Sequence, residues 1–370
     1  MRQLEKFRFL FLLVVLVLFS MYPLTAQLKF QRFSNREGFN QNTITSIQQD
    51  KYGILWFGTP NGLIKYDGYE FYSYTPDSQD ENTISHSTVE CMLACEKGNL
   101  WIGDWNGVDV YLPKTEKFIS VPFGNNLHVT NMIADSRGHF WIAGLEGFYH
   151  CSPDYSGDEV SFEVSDNLTQ AEPALAQLDE LCMIDDNRLL FSKGNELFSF
   201  TFEITDSTQN PIINSVHNYV FQAERSINVI KKINDIFWIG TGRGLYKAII
   251  DGEQLRILEK VELLTWDDHL VSDIGILSVF EDRSGSIWIG SGNEGIFRFN
   301  PEKNGFEHYG FDPKNEDGIS SARINCFYQD DFNVLWVGTA QGGINKLDMS
   351  QKQFINYSHD PYDKHSLQGI

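Results

Sequence analysis

Short stretches in which apolar and polar residues alternate follow one another along nearly the whole chain, each ended by a turn signal. Ile44-Thr-Ser-Ile47 and Ile276-Leu-Ser-Val279 are two of them. A period of two buries one face of a strand and solvates the other, so these stretches predict short strands joined by tight turns. An Asp-x-x-Gly turn follows, at Asp50–Gly53, Asp135–Gly138 and Asp282–Gly285. Asp suits the start of a turn because its carboxylate can accept from its own backbone amides, and Gly supplies positive φ. Then comes a strand with a recurring signature: Trp56-Phe-Gly-Thr59, Trp101-Ile-Gly-Asp104, Trp141-Ile-Ala-Gly144, Trp238-Ile-Gly-Thr241, Trp288-Ile-Gly-Ser291 and Trp336-Val-Gly-Thr339. A Gly–apolar pair such as Gly62-Leu63 or Gly295-Ile296 opens a third strand. Phe71-Tyr-Ser-Tyr74 and Phe306-Glu-His-Tyr309 mark a fourth.

Phe191, in the tryptophan place of a degenerate copy, fills the one long gap. The seven anchors are then 45, 40, 50, 47, 50 and 48 residues apart. Four short strands in each repeat of that length make one blade, and a blade cannot bury both faces alone, so blades must stack into a ring. The expected fold is all-β, a seven-bladed β-propeller of four-stranded antiparallel blades over 27–370. The tryptophans would fill the space between blades, and the glycine two residues later would let a neighbour approach. Residues 152–230 pattern poorly, and the register of the fourth blade is the least determined. Leu28–Phe33 resembles an outer strand yet precedes the first blade. It is expected to close the ring beside Ile344–Asp348, in competition with Phe354–Tyr357.

Composition adds the compartment. Arg2, Lys6 and Arg8 precede an apolar run from Phe9 to Phe19, and Ala26 ends a small-residue cleavage site, the order of a secretory signal over 1–26. The run is short of the roughly 20 residues that span a bilayer. Export to the periplasm follows, with an inner-membrane anchor facing the periplasm as the alternative. Net charge is −21, and a globule that acidic repels phosphate backbones, which argues against nucleic acid as a partner. Cys91, Cys95, Cys151, Cys182 and Cys326 form no close metal or redox pairs and read as buried small hydrophobes.

With Trp-x-Gly-Thr, Gly-Leu and Tyr66-Asp67-Gly68 in place, the chain resembles the two-component regulator propeller repeats, found in the periplasmic region of bacterial hybrid two-component sensors. The resemblance covers about 28–370. It implies an extracytoplasmic ligand-sensing role in signal transduction, a ligand derived from complex carbohydrate such as an oligosaccharide, and a parent sensor with a further propeller and a kinase domain. No kinase motif stands in this chain, so membrane contact would come only through an uncleaved N-terminus or a missing C-terminal segment. His359-Asp-Pro361 and His365-Ser-Leu367 repeat inter-blade linkers, which reads as a truncated gene or a fragment.

Propeller ligands meet the loops between second and third strands and those between blades. There the candidate ligand-binding residues are Trp105, Arg243, Asp104, Asn61, His128 and Arg323, with Arg36, His86 and Asp268 in the same inter-blade loops. Trp105 stands outside the repeat pattern, and an exposed indole offers a platform for a sugar ring. Arg243 could hold a carboxylate or sulfate. No catalytic residue, cofactor or metal set is assigned. A propeller-fold carbohydrate-active enzyme (lyase or glycosidase) and a protein-binding scaffold are the alternative readings.

Overall fold

A computed structural model describes residues 28–350 except 34–38, 40, 78, 81, 125, 157–159, 205–210, 266–268, 272 and 302–304. The expected leader, Arg36, Asp268 and Phe354–Tyr357 lie outside the described residues. Seven four-stranded antiparallel sheets form a ring, six of them chain-order meanders. Blades one to six occupy 46–74, 89–120, 129–164, 181–222, 227–261 and 276–309. The seventh takes its three inner strands from 324–348 and its outer strand from Gln31–Phe33. Gln31, Arg32 and Phe33 pair with Lys346, Asn345 and Ile344, so the beginning of the ring completes its end.

Each signature tryptophan sits in the second strand of its blade. Trp56, Trp101, Trp141 and Trp288 are fully buried, and Trp336 and Trp238 nearly so. The indole faces the next blade: Trp56 packs with Val89, Met92, Leu100 and Ile102 of blade two. The following residue faces the previous blade, as Phe57 does against Trp336 and Ile344. The glycine beyond them is where an innermost residue of the next blade lands. A Cβ on Gly58 would lie 2.8 Å from Val89, and one on Gly338 2.8 Å from Ile44. Cys91 and Cys326 pack against Gly103 and Gly338 in the same layer. All five cysteines are free, and burial pushes the thiols of Cys91, Cys151 and Cys326 up to about 12, so they behave as small apolar groups.

In blade four the tryptophan register belongs to Leu190, not Phe191. Lys193 pairs with Glu196 across the turn as Thr59 pairs with Gly62. Counting back from that turn aligns Leu190 with Trp56 and Phe191 with Phe57. Packing agrees: Leu190 joins Ile230 and Phe237 of blade five, while Phe191 joins Trp141 and Phe148 of blade three. The bulk missing at Leu190 is made up by Tyr219 of the twelve-residue outer strand Pro211–Gln222, which lies in the same cluster.

Two further contacts recur. In blades one, six and seven the turn aspartate anchors the tryptophan: Asp50, Asp282 and Asp330 accept the indole N–H of Trp56, Trp288 and Trp336 at 3.0, 2.8 and 2.8 Å. On the third strand, opposite the tryptophan, a cation lies over the indole. The pairs are Lys65 on Trp56, Lys247 on Trp238, Arg298 on Trp288 and Lys346 on Trp336, at 4.6–5.8 Å from the ring. In blade three His150 holds this place. Burial, then His139 and Arg137, push it down to about 3, so it is uncharged at neutral pH.

Candidate functional site

The turn between second and third strands is built by the last residue of the signature. Thr59 Oγ1 donates to Gly62 O and accepts from Asn61 N; Thr241, Ser291 and Thr339 repeat the arrangement. These turns meet the inter-blade loops at one end of the ring. Leu145, Gly242, Gly292 and Ala340 donate backbone N–H groups to His128, Ser226, Gly275 and Arg323. The loops expected to meet a ligand are therefore adjacent blade by blade.

Asp104 occupies the threonine register of blade two and does that residue's work. One carboxylate oxygen accepts from Asn106 N and Gly107 N at 2.7 and 2.9 Å, and the other from Ser85 Oγ and His86 N at 2.9 and 3.1 Å. The side chain is fully buried, which withdraws it from the candidate ligand contacts. Burial and the neighbouring Asp109 push its pKa up to about 7, against the pull of these donors. Arg243 is also engaged within the protein. Its guanidinium is held by Glu224 at 2.9 Å and Asp273 at 3.8 Å, an ion pair that ties neighbouring loops. Asn61 is exposed and donates to Gln41 Oε1. Arg323 is exposed on the loop before blade seven, and its backbone N–H donates to Ser321 Oγ.

Trp105 and His128 are brought together. Trp105, 45% exposed, stands between two imidazoles, His86 at 5.7 Å and 21° and His128 at 4.5 Å and 30°. Its indole N–H donates to Glu90 Oε1 at 2.7 Å. His86 is held by Thr88 N donating to its Nδ1, and the loop of His128 by its own N–H to Glu146 Oε2. Three rings from two inter-blade loops and one turn thus form a row with carboxylates beside it. Glu90 escaped the sequence reading because it sits in an ordinary first strand. Its only signal was its register one residue beyond Val89, at the end of that strand nearest the loops. Glu180, at the start of blade four, accepts from Asn131 Nδ2 at 3.2 Å. Burial and Asp179 push it up to about 8, so it carries a proton at neutral pH.

Residues 38–61 and 318–341, the first repeat and the last, match the family model described as two component regulator propeller. These two repeats are two-component regulator propeller repeats. Over 75 residues, 20% of its length, the chain is 39% identical to histidine kinase P4 of Formosa agariphila, and the match spans 6% of that protein. Its fold is similar to the extracellular domain of the hybrid two component system BT3049 from B. thetaiotaomicron (TM-score 0.67, 22% identity), covering 87% of this chain and 42% of that one. It is also similar in fold to virginiamycin B lyase from Staphylococcus aureus, at TM-score 0.60 and 15% identity, covering 87% of this chain and all of the lyase. The chain thus spans less than half the length of the extracellular domain it resembles. Among its described residues no helix is long and apolar enough to cross a membrane.

Proposed function

We propose that this chain is the extracytoplasmic sensing propeller of a two-component regulator, and that it binds a neutral oligosaccharide at the Trp105 row. The observation that carries the reading is Trp105. It interrupts the repeat, is half exposed at the loop end of the ring, and is fixed in place by His86, His128 and Glu90. An amphipathic ring flanked by hydrogen-bonding groups suits the apolar face and hydroxyl rim of a sugar. A net charge of −21, and the pairing of Arg243 with two acids, disfavour a sulfated or uronic ligand. The regulator family supports signalling through further domains of a parent sensor in the periplasm; likeness to the lyase concerns the ring alone. The test is a thermal-shift screen of the exported chain against an oligosaccharide panel, since a ligand of the folded state raises its apparent stability. One sugar class should raise the melting temperature, and Trp105→Ala should abolish that rise while leaving the unliganded melting temperature unchanged. A rise that survives Trp105→Ala places the ligand elsewhere, and a panel without any response removes the carbohydrate reading.

A further inference from the structure

The spacing Asp-x5-Trp occurs four times, at Asp50–Trp56, Asp135–Trp141, Asp282–Trp288 and Asp330–Trp336. Three of these pairs are joined by the indole hydrogen bond; in blade three Asp135 Oδ2 and Trp141 Nε1 both lack a hydrogen-bond partner. Both side chains are buried, Trp141 at 0% and Asp135 at 7% exposure. Two histidines distinguish this blade. His139 holds the register of Ile54, Ser286 and Val334, and His150 the register of Lys65, Lys247, Arg298 and Lys346. His139 Nδ1 and His150 Nε2 are 3.2 Å apart, and with an Asp135 carboxylate oxygen all three donor atoms lie within 4.8 Å of one another.

We propose that Asp135, His139 and His150 form a binding site for a divalent transition-metal ion of the zinc class. Two imidazole nitrogens at about 2.0–2.1 Å from one tetrahedral zinc lie roughly 3.3–3.4 Å apart, close to the separation found. Asp135 Oδ1 is pinned by the backbone N–H groups of Arg137 and His139, which leaves Oδ2, without a hydrogen-bond partner, as the ligand. A buried carboxylate oxygen without a donor is costly, and an ion supplies what the indole gives in the sister blades. The competing charge is Arg137, whose guanidinium is 4.0 Å from Oδ2. It is partly exposed and is drawn away from the cluster by its hydrogen bond to Asn187 Oδ1. A cleft of about 360 Å3 bordered by His139, Ser152, Asp154, Phe162 and Glu163 opens beside the cluster. Ser152 Oγ is buried there without a partner. Three protein donors, of which His139 borders the cleft, fit an exchangeable ion with a free coordination position better than a closed structural one. Among the described residues no other three His, Cys or carboxylate groups converge in this way. The cluster lies at the Asp135–Gly138 turn, the opposite end of the second strand from the loops of the Trp105 row, so it stands independently of the sugar reading.

The test is calorimetric titration of the metal-stripped chain with Zn2+, repeated with Co2+ followed by visible absorption. Two variants carry residues that other blades use at the same registers, His139→Ser and His150→Lys, so the fold is kept. One equivalent of zinc should bind the natural chain, with a cobalt spectrum of nitrogen ligation, and each variant should weaken binding at least about tenfold. Melting of each metal-stripped variant checks folding, and a single folded variant decides the matter. No binding by the natural chain, or equal binding by a folded variant, which marks surface carboxylates alone, overturns the proposal.

Discussion

Trp288 shows what one residue contributes to this ring. Its indole is fully buried, its N–H meets Asp282 at 2.8 Å, and Arg298 lies 5.0 Å from its ring. Trp288→Ala removes a large core side chain and is expected to cost about 3–5 kcal/mol. Trp288→Phe keeps a ring for the cation but leaves the carboxylate of Asp282 without its donor. About 1–3 kcal/mol is expected from that. Urea unfolding of the two variants separates packing from the hydrogen bond. If Trp288→Phe costs nothing, the bond contributes nothing; if it costs as much as Trp288→Ala, packing contributes nothing beyond the bond. These tryptophans are legible in sequence because no other residue combines such bulk with a donor at the edge. The cations opposite them were equally visible, as Gly-apolar-x-Lys or Gly-apolar-x-Arg, yet alone each reads as a solvated strand residue. Only the pairing of Trp56 with Lys65, and its counterparts, shows that they are one unit.

At the scale of the element, the turn after the second strand explains both a success and a failure of sequence reading. Its position was plain from the Gly–apolar pair. Its chemistry was not, because Thr59, Ser291 and Asp104 look unrelated until the register shows that all three cap the same turn. By residue type alone Asp104 reads as a ligand contact; its register and burial make it the cap of this turn. Blade four failed by one residue for a related reason: without a tryptophan, an aromatic one place along is the better match by type, while the turn of Gly194-Asn195 settles the register as Leu190. His139 and His150 escape notice because they are eleven residues apart in sequence, one just before the second strand and the other on the third, and only pairing sets His150 opposite Trp141. The cap in blade two carries a pH signature that threonine lacks. The folded chain holds the Asp104 proton with a pKa of about 7, against roughly 3.9 unfolded. A raised carboxylate pKa stabilises fully below about pH 4 and is lost as pH rises through 7, with a slope of at most about 1.4 kcal/mol per pH unit. Asp104→Thr should remove that slope. Urea unfolding of both proteins from pH 4 to 8 measures it as a difference, which cancels the general repulsion of an acidic chain. Parallel curves would show that Asp104 is already ionised in the fold.

For the whole molecule the decisive contact is the one that turns seven blades into a closed ring. Six blades are local meanders whose strands find each other across turns of a few residues. The seventh must take its outer strand from the other end of the described ring, at the entropic cost of closing a very long loop. Phe33 repays part of it: nearly buried, it packs on Trp336, Tyr66 and Phe71 and so touches blades seven and one together. Arg32 adds hydrogen bonds to Gly318 O and Ile319 O at 2.9 and 3.0 Å, and Phe30 N donates to Asp317 O. Asn325 Nδ2 reaches Ile44 O across the same junction, nearer the axis. Without Gln31–Phe33 the edge Ile344–Asp348 would lie open, and an unpaired edge both loses stability and invites pairing with another chain. Deleting 27–33 is therefore expected to lower the melting temperature by several degrees and to promote self-association, while Phe33→Ala alone should cost about 3–5 kcal/mol. Differential scanning calorimetry and light scattering on the two variants make the comparison. An unchanged melting temperature after the deletion would mean that another segment, Phe354–Tyr357 being the candidate by sequence, takes the vacant edge, and that closure by the N-terminal strand is dispensable.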